Sequence, residues 1–335
     1  MTNEQINKLL LNGKFPESKC FPELVETHIS WVIICSRFAY KIKKPIHYSF
    51  LDFSTISQRK YYCEREIVLN RRLTDDIYLG IQPVKQQPGC FLIGEGAGDI
   101  IDYAVCMQKM ERGRQMDLLL KKGEVTDKDM HKLAERIAGF HKVAAIIHEK
   151  DVLDIQKKFA DLNGEIKYLQ NSFGDDSANI IRQAMAISDH FNEKNKNLLA
   201  ERLKAGYFRD CHGDLHSRNI FLLQTPQAFD CIEFNDDYRQ IDVLNEIAFL
   251  CMDLDALGRK DLSCLFLDCY DHLFPTLKTA ADRKLFIYYK SYRANIRAKV
   301  NSLRARSAGN EKEESTALAE VEKYLRLMNE YLQML

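Results

Sequence analysis

Short β-branched and alternating runs dominate the first 110 residues and predict a set of β-strands. Residues 29 to 35 read I-S-W-V-I-I-C and predict one strand. Ser36-Arg37 predicts a turn, and residues 38 to 43, F-A-Y-K-I-K, alternate as the returning strand would. Further short strands are expected at residues 77 to 84, 89 to 94 and 101 to 110.

Residues 57 to 73 change to a helical pattern. The segment contains no glycine or proline, and Tyr62, Leu69 and Leu73 recur at helical spacing. Most of the chain after residue 116 also predicts helices, with Gly164 and Gly174 interrupting a charged helical region. We therefore expect an α+β chain with a small β-rich N-terminal lobe over residues 1 to 110. A larger, mostly helical lobe follows over residues 111 to 335.

Composition narrows the partners that the chain is expected to bind. The 335 residues contain 48 Lys+Arg and 48 Asp+Glu, so the net charge is zero. No general attraction for nucleic acid or an anionic membrane follows from such a balance, and we expect neither partner. The sequence has no run of eighteen apolar residues, and its first residues lack the features of a signal peptide. Its ten cysteines form no C-x-x-C pair, which predicts free thiols and a cytoplasmic location.

The segment from residue 210 to residue 223, D-C-H-G-D-L-H-S-R-N-I-F-L-L, carries the clearest chemistry. Asp214 and Asn219 stand at the two ends of a short loop that leads into an apolar strand over residues 220 to 223. Phosphoryl transfer uses such a pair, because a carboxylate accepts the proton of the attacking hydroxyl and an amide oxygen holds a metal ion. Protein kinases use the same D-x-x-x-x-N spacing. Asp214 is therefore the predicted base and Asn219 a predicted metal ligand.

With the residues around this loop, a family resemblance becomes visible. H-G-D-L-H-x-x-N-I resembles the catalytic loop of the aminoglycoside phosphotransferase and choline kinase-like small-molecule kinases, whose superfamily shares the protein-kinase fold. The patterns E-F-N-D-x-x-R-x-x-D-V and A-F-L-x-M-D-L are similar to one poorly characterised bacterial branch. The resemblance implies a bilobal kinase-like fold, ATP and Mg²⁺ as cofactors, and an aminoglycoside-, choline- or sugar-like hydroxyl as acceptor. It leaves open the acceptor's identity and the choice between ATP and GTP.

The resemblance also implies a phosphate-binding lysine with a glutamate partner. Lys41 lies mid-strand in A-Y-K-I-K, which is similar to the V-A-I-K context of kinases, with Lys43 and Lys44 as alternatives. Glu66 lies three and seven residues before Leu69 and Leu73, so it shares the buried side of its helix and is preferred over Glu64.

The second metal ligand is expected after the catalytic loop, where Asp230 and Glu233 compete. A hairpin centred on Pro226 would place Glu233 opposite Asn219 and would leave Asp230 nearer the turn. Glu233 therefore ranks first and Asp230 second, with Asp236 as a third possibility.

Two departures from the kinase pattern keep a second function class open. Residues 25 to 30 contain no glycine, so Thr27 and Ser30 or backbone amides would have to contact the phosphates. A glutamate also stands where relatives carry an aspartate. The sequence thus predicts a small-molecule phosphotransferase, with a non-catalytic nucleotide-binding or interaction protein as the alternative. Asp242, which opens a helix, is expected to have a structural role as its cap.

Overall fold

The computed structural model describes residues 1–17, 21–48 and 51–335. The chain forms two compact units, of which the first comprises residues 1–119 and 218–239 and the second residues 120–217 and 240–335. The division at residue 110 stays a prediction of the sequence.

Most strands lie before residue 110 and most helices after it, as the sequence pattern predicts. The strands are β1 (Glu23–Glu26), β2 (Ser30–Ile34), β3 (Phe38–Lys43), β4 (His47–Tyr48), β5 (Leu51–Asp52), β6 (Tyr78–Gln87), β7 (Cys90–Ile93), β8 (Asp99–Gln108), β9 (Phe208–Asp210), β10 (Ile220–Phe221), β11 (Gln227–Ala228) and β12 (Gln240–Asp242). The α-helices are α1 (Asn3–Asn12), α2 (Ile56–Asn70), α3 (Met116–Lys122), α4 (Asp127–Val143), α5 (Asp154–Ala160), α6 (Ile166–Phe173), α7 (Asp175–Lys204), α8 (Val243–Ala256), α9 (Lys260–Leu273), α10 (Ala280–Arg306) and α11 (Glu311–Leu332). The predicted α+β class is confirmed.

The first unit is built on a six-stranded antiparallel sheet with the order β1-β2-β3-β8-β6-β7. The predicted hairpin of β2 and β3 is present, with Val32 opposite Lys41. β1 precedes this hairpin, in a stretch where the sequence pattern predicts no strand.

The two faces of this sheet carry different side chains because residues alternate along each strand. Tyr40 and Ile42 of β3 belong to an apolar cluster that also includes Ile6 and Leu9 of α1. Lys41 and Lys43, one position out of phase, point to the opposite face. Helix α2 covers that face through Cys63, Ile67 and their neighbours. Thr55 starts α2 with a capping box to Gln58, two reciprocal hydrogen bonds that fix where the helix begins.

The second unit is helical and is organised around α8. Residues 243 to 254 of this helix are all buried, including the polar side chains of Asn245, Glu246 and Asp253. Asp242 caps α8 by accepting a hydrogen bond from the Leu244 N–H at 2.9 Å, which confirms its predicted structural role. Its carboxylate also binds Arg202, whose guanidinium reaches Asp282 at 2.7 Å. This buried ion-pair network joins α7, α8 and α10.

The hairpin after Asn219 has a different register from the predicted one. Ile220 pairs with Ala228 and Phe221 with Gln227, so the turn is centred on Gln224 rather than Pro226. Strand pairing ends at Phe221 because the Leu222 N–H donates to the carbonyl of Arg114, and the Leu222 carbonyl accepts from the Arg114 guanidinium. The predicted strand over residues 220 to 223 is therefore too long, and its partner β11 also has only two residues.

Two further expectations concern cysteines and membranes. Cys35 is disulfide-bonded, so the expectation of free thiols is wrong at this residue, and Cys20 lies outside the described residues. The other described cysteines form no disulfide: Cys63, Cys90, Cys106, Cys211, Cys231, Cys251, Cys264 and Cys269. Within the described parts of the chain, no helix combines the length and apolar character needed to cross a membrane.

Candidate functional site

The predicted lysine and glutamate meet in the first unit. The Lys41 Nζ atom donates to Glu66 Oε1 at 2.8 Å, which joins strand β3 to helix α2. Glu66 is fully buried, whereas Glu64 on the same helix leaves 51% of its side chain exposed. The choice of Glu66 over Glu64 as the lysine's partner agrees with this geometry, because only Glu66 is on the side of α2 that faces the sheet.

Asp230 completes this cluster. Its Oδ1 atom accepts a hydrogen bond from Lys41 Nζ at 2.6 Å, and 45% of its side chain is exposed. Asp230 adopts a left-handed backbone conformation with φ of 62°, which turns the chain sharply after Phe229. Neighbouring elements hold this turn, because the Asp230 N–H donates to the Tyr78 hydroxyl and the Cys231 N–H donates to Asn70 Oδ1.

Lys43, which the sequence offers as an alternative to Lys41, belongs to the same network. Its Nζ atom lies 2.7 Å from Glu66 Oε2 and also hydrogen-bonds to Glu233 Oε1. Lys43 and Glu233 are 1% and 3% exposed. Glu66 therefore binds one lysine through each carboxylate oxygen, and Glu233 lies in the interior beside Lys43.

The corrected hairpin register changes the reason for choosing between Asp230 and Glu233. Phe229, and not Glu233, is opposite Asn219, and the Phe229 N–H donates to the Asn219 carbonyl at 2.9 Å. Asp230 is thus the acidic residue next to the position that pairs with Asn219. Hairpin geometry therefore does not favour Glu233 over Asp230, contrary to the prediction. Asp236, the third candidate, forms ion pairs with Arg65 and Arg239.

The pKa values of the charged groups in this cluster shift in different directions, because burial and neighbouring charges oppose each other. Burial alone would lower the pKa of Lys41, but Asp230, Glu66 and Glu233 raise it well above its usual value. Burial would raise the pKa of Glu66, but the two lysines outweigh it, and the pKa is lowered. Burial dominates at Glu233, whose pKa is raised despite the hydrogen bond from Lys43. Both lysines and Glu66 are therefore charged at neutral pH.

The second unit carries Asp214 in the predicted loop. Gly213 has a φ of 89°, a left-handed conformation that suits glycine and turns the chain just before Asp214. Asp214 Oδ2 lies 3.4 Å from His216 Nε2, and 37% of the Asp214 side chain is exposed. Burial would raise the pKa of Asp214, but His216, Arg297 and His212 together hold it below its ordinary range. Asp214 is therefore an ionised hydrogen-bond acceptor at neutral pH.

Two acidic residues of α8 hold the backbone of this loop. Glu246 accepts from the N–H groups of His212 and Gly213 at 2.6 and 3.0 Å. Asp253 accepts from both the N–H and the hydroxyl of Ser217. Neither role is among the predictions made from the sequence. Acidic residues within an otherwise apolar helix were the available signal, because a buried carboxylate needs donors.

The region proposed to replace a glycine-rich loop is a tight turn between β1 and β2. The Thr27 N–H donates to the Ser30 carbonyl at 2.9 Å, and the two hydroxyls lie 2.9 Å apart. The Ser30 N–H donates to Thr27 Oγ1 at 3.0 Å. Thr27 and Ser30 thus stabilise each other's turn, and a role at phosphates stays a prediction.

The sequence of this chain is similar to those of two mycobacterial proteins. No protein-family model matches the chain. Uncharacterized proteins from Mycobacterium tuberculosis and Mycobacterium bovis are 30% identical to it over 318 residues. The alignments cover 93% of this chain and 60% of each relative, so the chain spans about 60% of the length of the curated relatives that it matches.

Solved structures identify the fold. An ethanolamine kinase from Plasmodium vivax matches with a TM-score of 0.51 and 11% identity, over 92% of this chain and 83% of that one. A choline kinase from Cryptosporidium parvum matches with a TM-score of 0.50 and 11% identity, over 93% of this chain and 88% of that one. The chain has the fold of these kinases, and the fold predicted from the sequence resemblance is confirmed.

Proposed function

We propose that the chain is a phosphotransferase that moves the γ-phosphate of ATP to a hydroxyl group of a small molecule. The observation that carries this proposal is the cluster of Lys41, Glu66 and Asp230 in a chain with the fold of choline and ethanolamine kinases. In phosphoryl transfer a lysine held by a glutamate binds phosphate oxygens, and a neighbouring aspartate holds the metal ion.

Lys41 is the proposed contact to the nucleotide phosphates. Its ammonium group stays charged, and Glu66 fixes it on one side. Its other partner, Asp230, is partly exposed, so phosphate oxygens and a metal ion have access to this end of the lysine. The nucleotide is proposed to be ATP, as the resemblance implies.

The residues fit a magnesium ion on the chemistry of their donor atoms. Mg²⁺ prefers oxygen ligands and is usually held by one or two carboxylates together with substrate phosphates. We assign this role to Asp230 and Asn219, because Asp230 is exposed enough to bind a hydrated ion and follows the residue paired with Asn219. When bound, the ion would neutralise charge on the transferred phosphate. Glu233 is a poorer candidate than the sequence suggests, because its carboxylate is buried against Lys43.

Asp214 is the proposed base for the acceptor. An ionised carboxylate with an exposed face accepts a hydrogen bond from the attacking hydroxyl and then its proton. His216 keeps this carboxylate oriented from within the same loop. The acceptor is proposed to be a small molecule, because the resemblance that implies the reaction is to kinases of that class.

The experiment that tests the proposal is a panel of aminoglycosides, amino-alcohols and sugars scored for ADP release in the presence of Mg²⁺. A hydroxyl compound should stimulate ADP release by the wild type and not by Asp214→Asn. Thermal stabilisation by ATP and Mg²⁺ is measured in parallel, because a ligand that binds only the folded state raises its stability. Stabilisation without stimulation by any hydroxyl compound would favour a nucleotide-binding protein without catalysis. Absence of both effects would contradict the proposal.

A further inference from the structure

The first unit contains a second buried lysine that the proposed reaction does not use directly. Lys43 lies on the same face of β3 as Lys41, two residues further along. Its side chain is 1% exposed, compared with 10% for Lys41. The Lys43 Nζ atom also lies 4.8 Å from the centre of the Phe53 ring. This lysine therefore faces the interior, away from solvent.

The contacts of the two lysines divide the Glu66 carboxylate between them. Lys41 binds Oε1 and also reaches Asp230, the partly exposed end of the cluster. Lys43 binds Oε2 and also reaches Glu233, the buried end. Glu66 is thus held from two sides, and only one of the two lysines is next to a group that solvent reaches.

Burial makes the inner pair costly to disrupt. An ammonium group removed from water needs compensating carboxylates and hydrogen bonds. Lys43 has two such partners, Glu66 and Glu233. Without Lys43, Glu66 would keep one lysine, Lys41, and Glu233 would lose its hydrogen bond from Lys43. The position of the Glu66 carboxylate therefore depends on Lys43 as well as on Lys41.

We propose that Lys43 and Glu233 form a positioning pair that anchors Glu66, so that Glu66 stays in place while Lys41 binds nucleotide phosphates. Glu233 then serves as the counterion of Lys43 and not as a metal ligand. The inference rests on the proposed function, because it assigns phosphate binding to Lys41. Lys43 acts through Glu66 and does not contact the nucleotide.

A double-mutant cycle tests whether Lys43 acts through Glu66. The dissociation constant of Mg²⁺-ATP is measured by calorimetry for the wild type, Lys43→Met, Glu66→Gln and the double variant. Each single change should weaken binding by about ten- to hundredfold, because a small displacement of a positioned group causes losses of about that factor. The double variant should bind no more weakly than Glu66→Gln alone. Multiplicative losses would show that Lys43 contacts the nucleotide independently and would overturn the inference.

A second variant separates positioning from stability. Lys43→Met combined with Glu233→Met removes both buried charges, a change that is often neutral for folding when the new residues fill the same volume. Circular dichroism should show a wild-type spectrum, but nucleotide affinity should stay as low as in Lys43→Met. Recovery of wild-type affinity would mean that Lys43 matters only for folding, which contradicts a positioning role.

Lys60→Met, on helix α2, is the matched control. Lys60 leaves 45% of its side chain exposed and pairs with Glu64 at 3.8 Å, outside the cluster. Its affinity for Mg²⁺-ATP should equal that of the wild type. If the wild type itself binds no Mg²⁺-ATP, the proposed function fails. If the wild type binds and Lys43→Met binds equally well, the inference alone fails.

Discussion

Glu246 offers a prediction that does not depend on the proposed reaction. This carboxyl group is 0% exposed, and burial raises its pKa from 4.5 to about 7, even though Arg293 and the N–H groups of His212 and Gly213 favour its charged form. In the folded chain it therefore holds a proton that the unfolded chain loses near pH 4.5. Replacement by glutamine retains a carbonyl oxygen for the two N–H groups and removes the titration.

The sign and size of the effect follow from linkage. Below pH 4.5 both states are protonated at Glu246, and above about pH 7 both are ionised. Between these values the folded state binds more protons, so the free energy of unfolding falls as pH rises, by about 1.4 kcal/mol per pH unit. Over the whole window the loss is about 3 kcal/mol. Glu246→Gln should not lose this stability, and its advantage over the wild type should grow by about 2 to 3 kcal/mol between pH 5 and pH 8.

Urea unfolding at pH 5 and pH 8, followed by far-ultraviolet circular dichroism, measures this difference. Other titrating groups are common to both proteins and cancel when the variant is compared with the wild type at each pH. Glu64→Gln, at an exposed glutamate of α2, is the control and should leave the free energy of unfolding within about 0.5 kcal/mol of the wild type. An unfolding free energy for Glu246→Gln that differs from the wild type by the same amount at both pH values would contradict the raised pKa of Glu246.

Three further predictions concern single side chains. Asp214→Asn should reduce turnover by about 10²–10⁴, the usual contribution of general-base catalysis, while ATP binding measured by calorimetry is retained; near-normal turnover would remove Asp214 as the base. Asp230→Asn should abolish the Mg²⁺-dependent part of thermal stabilisation by ATP, whereas Glu233→Gln should retain part of it; the reverse result would restore Glu233 as the metal ligand. Arg202→Met should destabilise the chain by about 3–5 kcal/mol in urea unfolding, because it removes the guanidinium that pairs with the buried carboxylates of Asp242 and Asp282. A loss below about 1 kcal/mol would contradict this.

The parts of the fold that follow from local periodicity could be predicted. Alternation along β3 placed Lys41 and Lys43 on one face, and helical spacing placed Glu66 on the buried side of α2. Both patterns depend only on neighbouring residues, so a single sequence is enough to read them. Gly213 also follows a local rule, because its left-handed conformation is one that glycine adopts at no steric cost.

The hairpin register after Asn219 could not be predicted, because distant residues decide it. Leu222 is apolar and continues the strand pattern, but its backbone bonds to Arg114, more than a hundred residues earlier. Strand pairing therefore stops sooner than apolarity suggests. The turn centre moves by two residues, so the residue opposite Asn219 is Phe229 and not Glu233, and Asp230 lies next to that position.

The contact between Lys43 and Glu233 could not be predicted for a similar reason. A lysine at the position of Lys43 would be solvated unless a carboxylate covers it, and Glu233 lies 190 residues away in the sequence. Neither residue alone indicates the contact. Its importance is visible only once strand β3 and the segment after β11 are seen together in the first unit.

Lys41, with Glu66 and Asp230, is proposed to bind nucleotide phosphates with a magnesium ion. The most direct test is the dissociation constant of ATP, measured by calorimetry with and without Mg²⁺ for the wild type and for Lys41→Met. We expect Mg²⁺ to tighten ATP binding by the wild type, and we expect Lys41→Met to bind Mg²⁺-ATP at least about tenfold more weakly, the loss expected for a hydrogen bond to a charged group. Equal affinities of the two proteins for Mg²⁺-ATP would contradict this proposal.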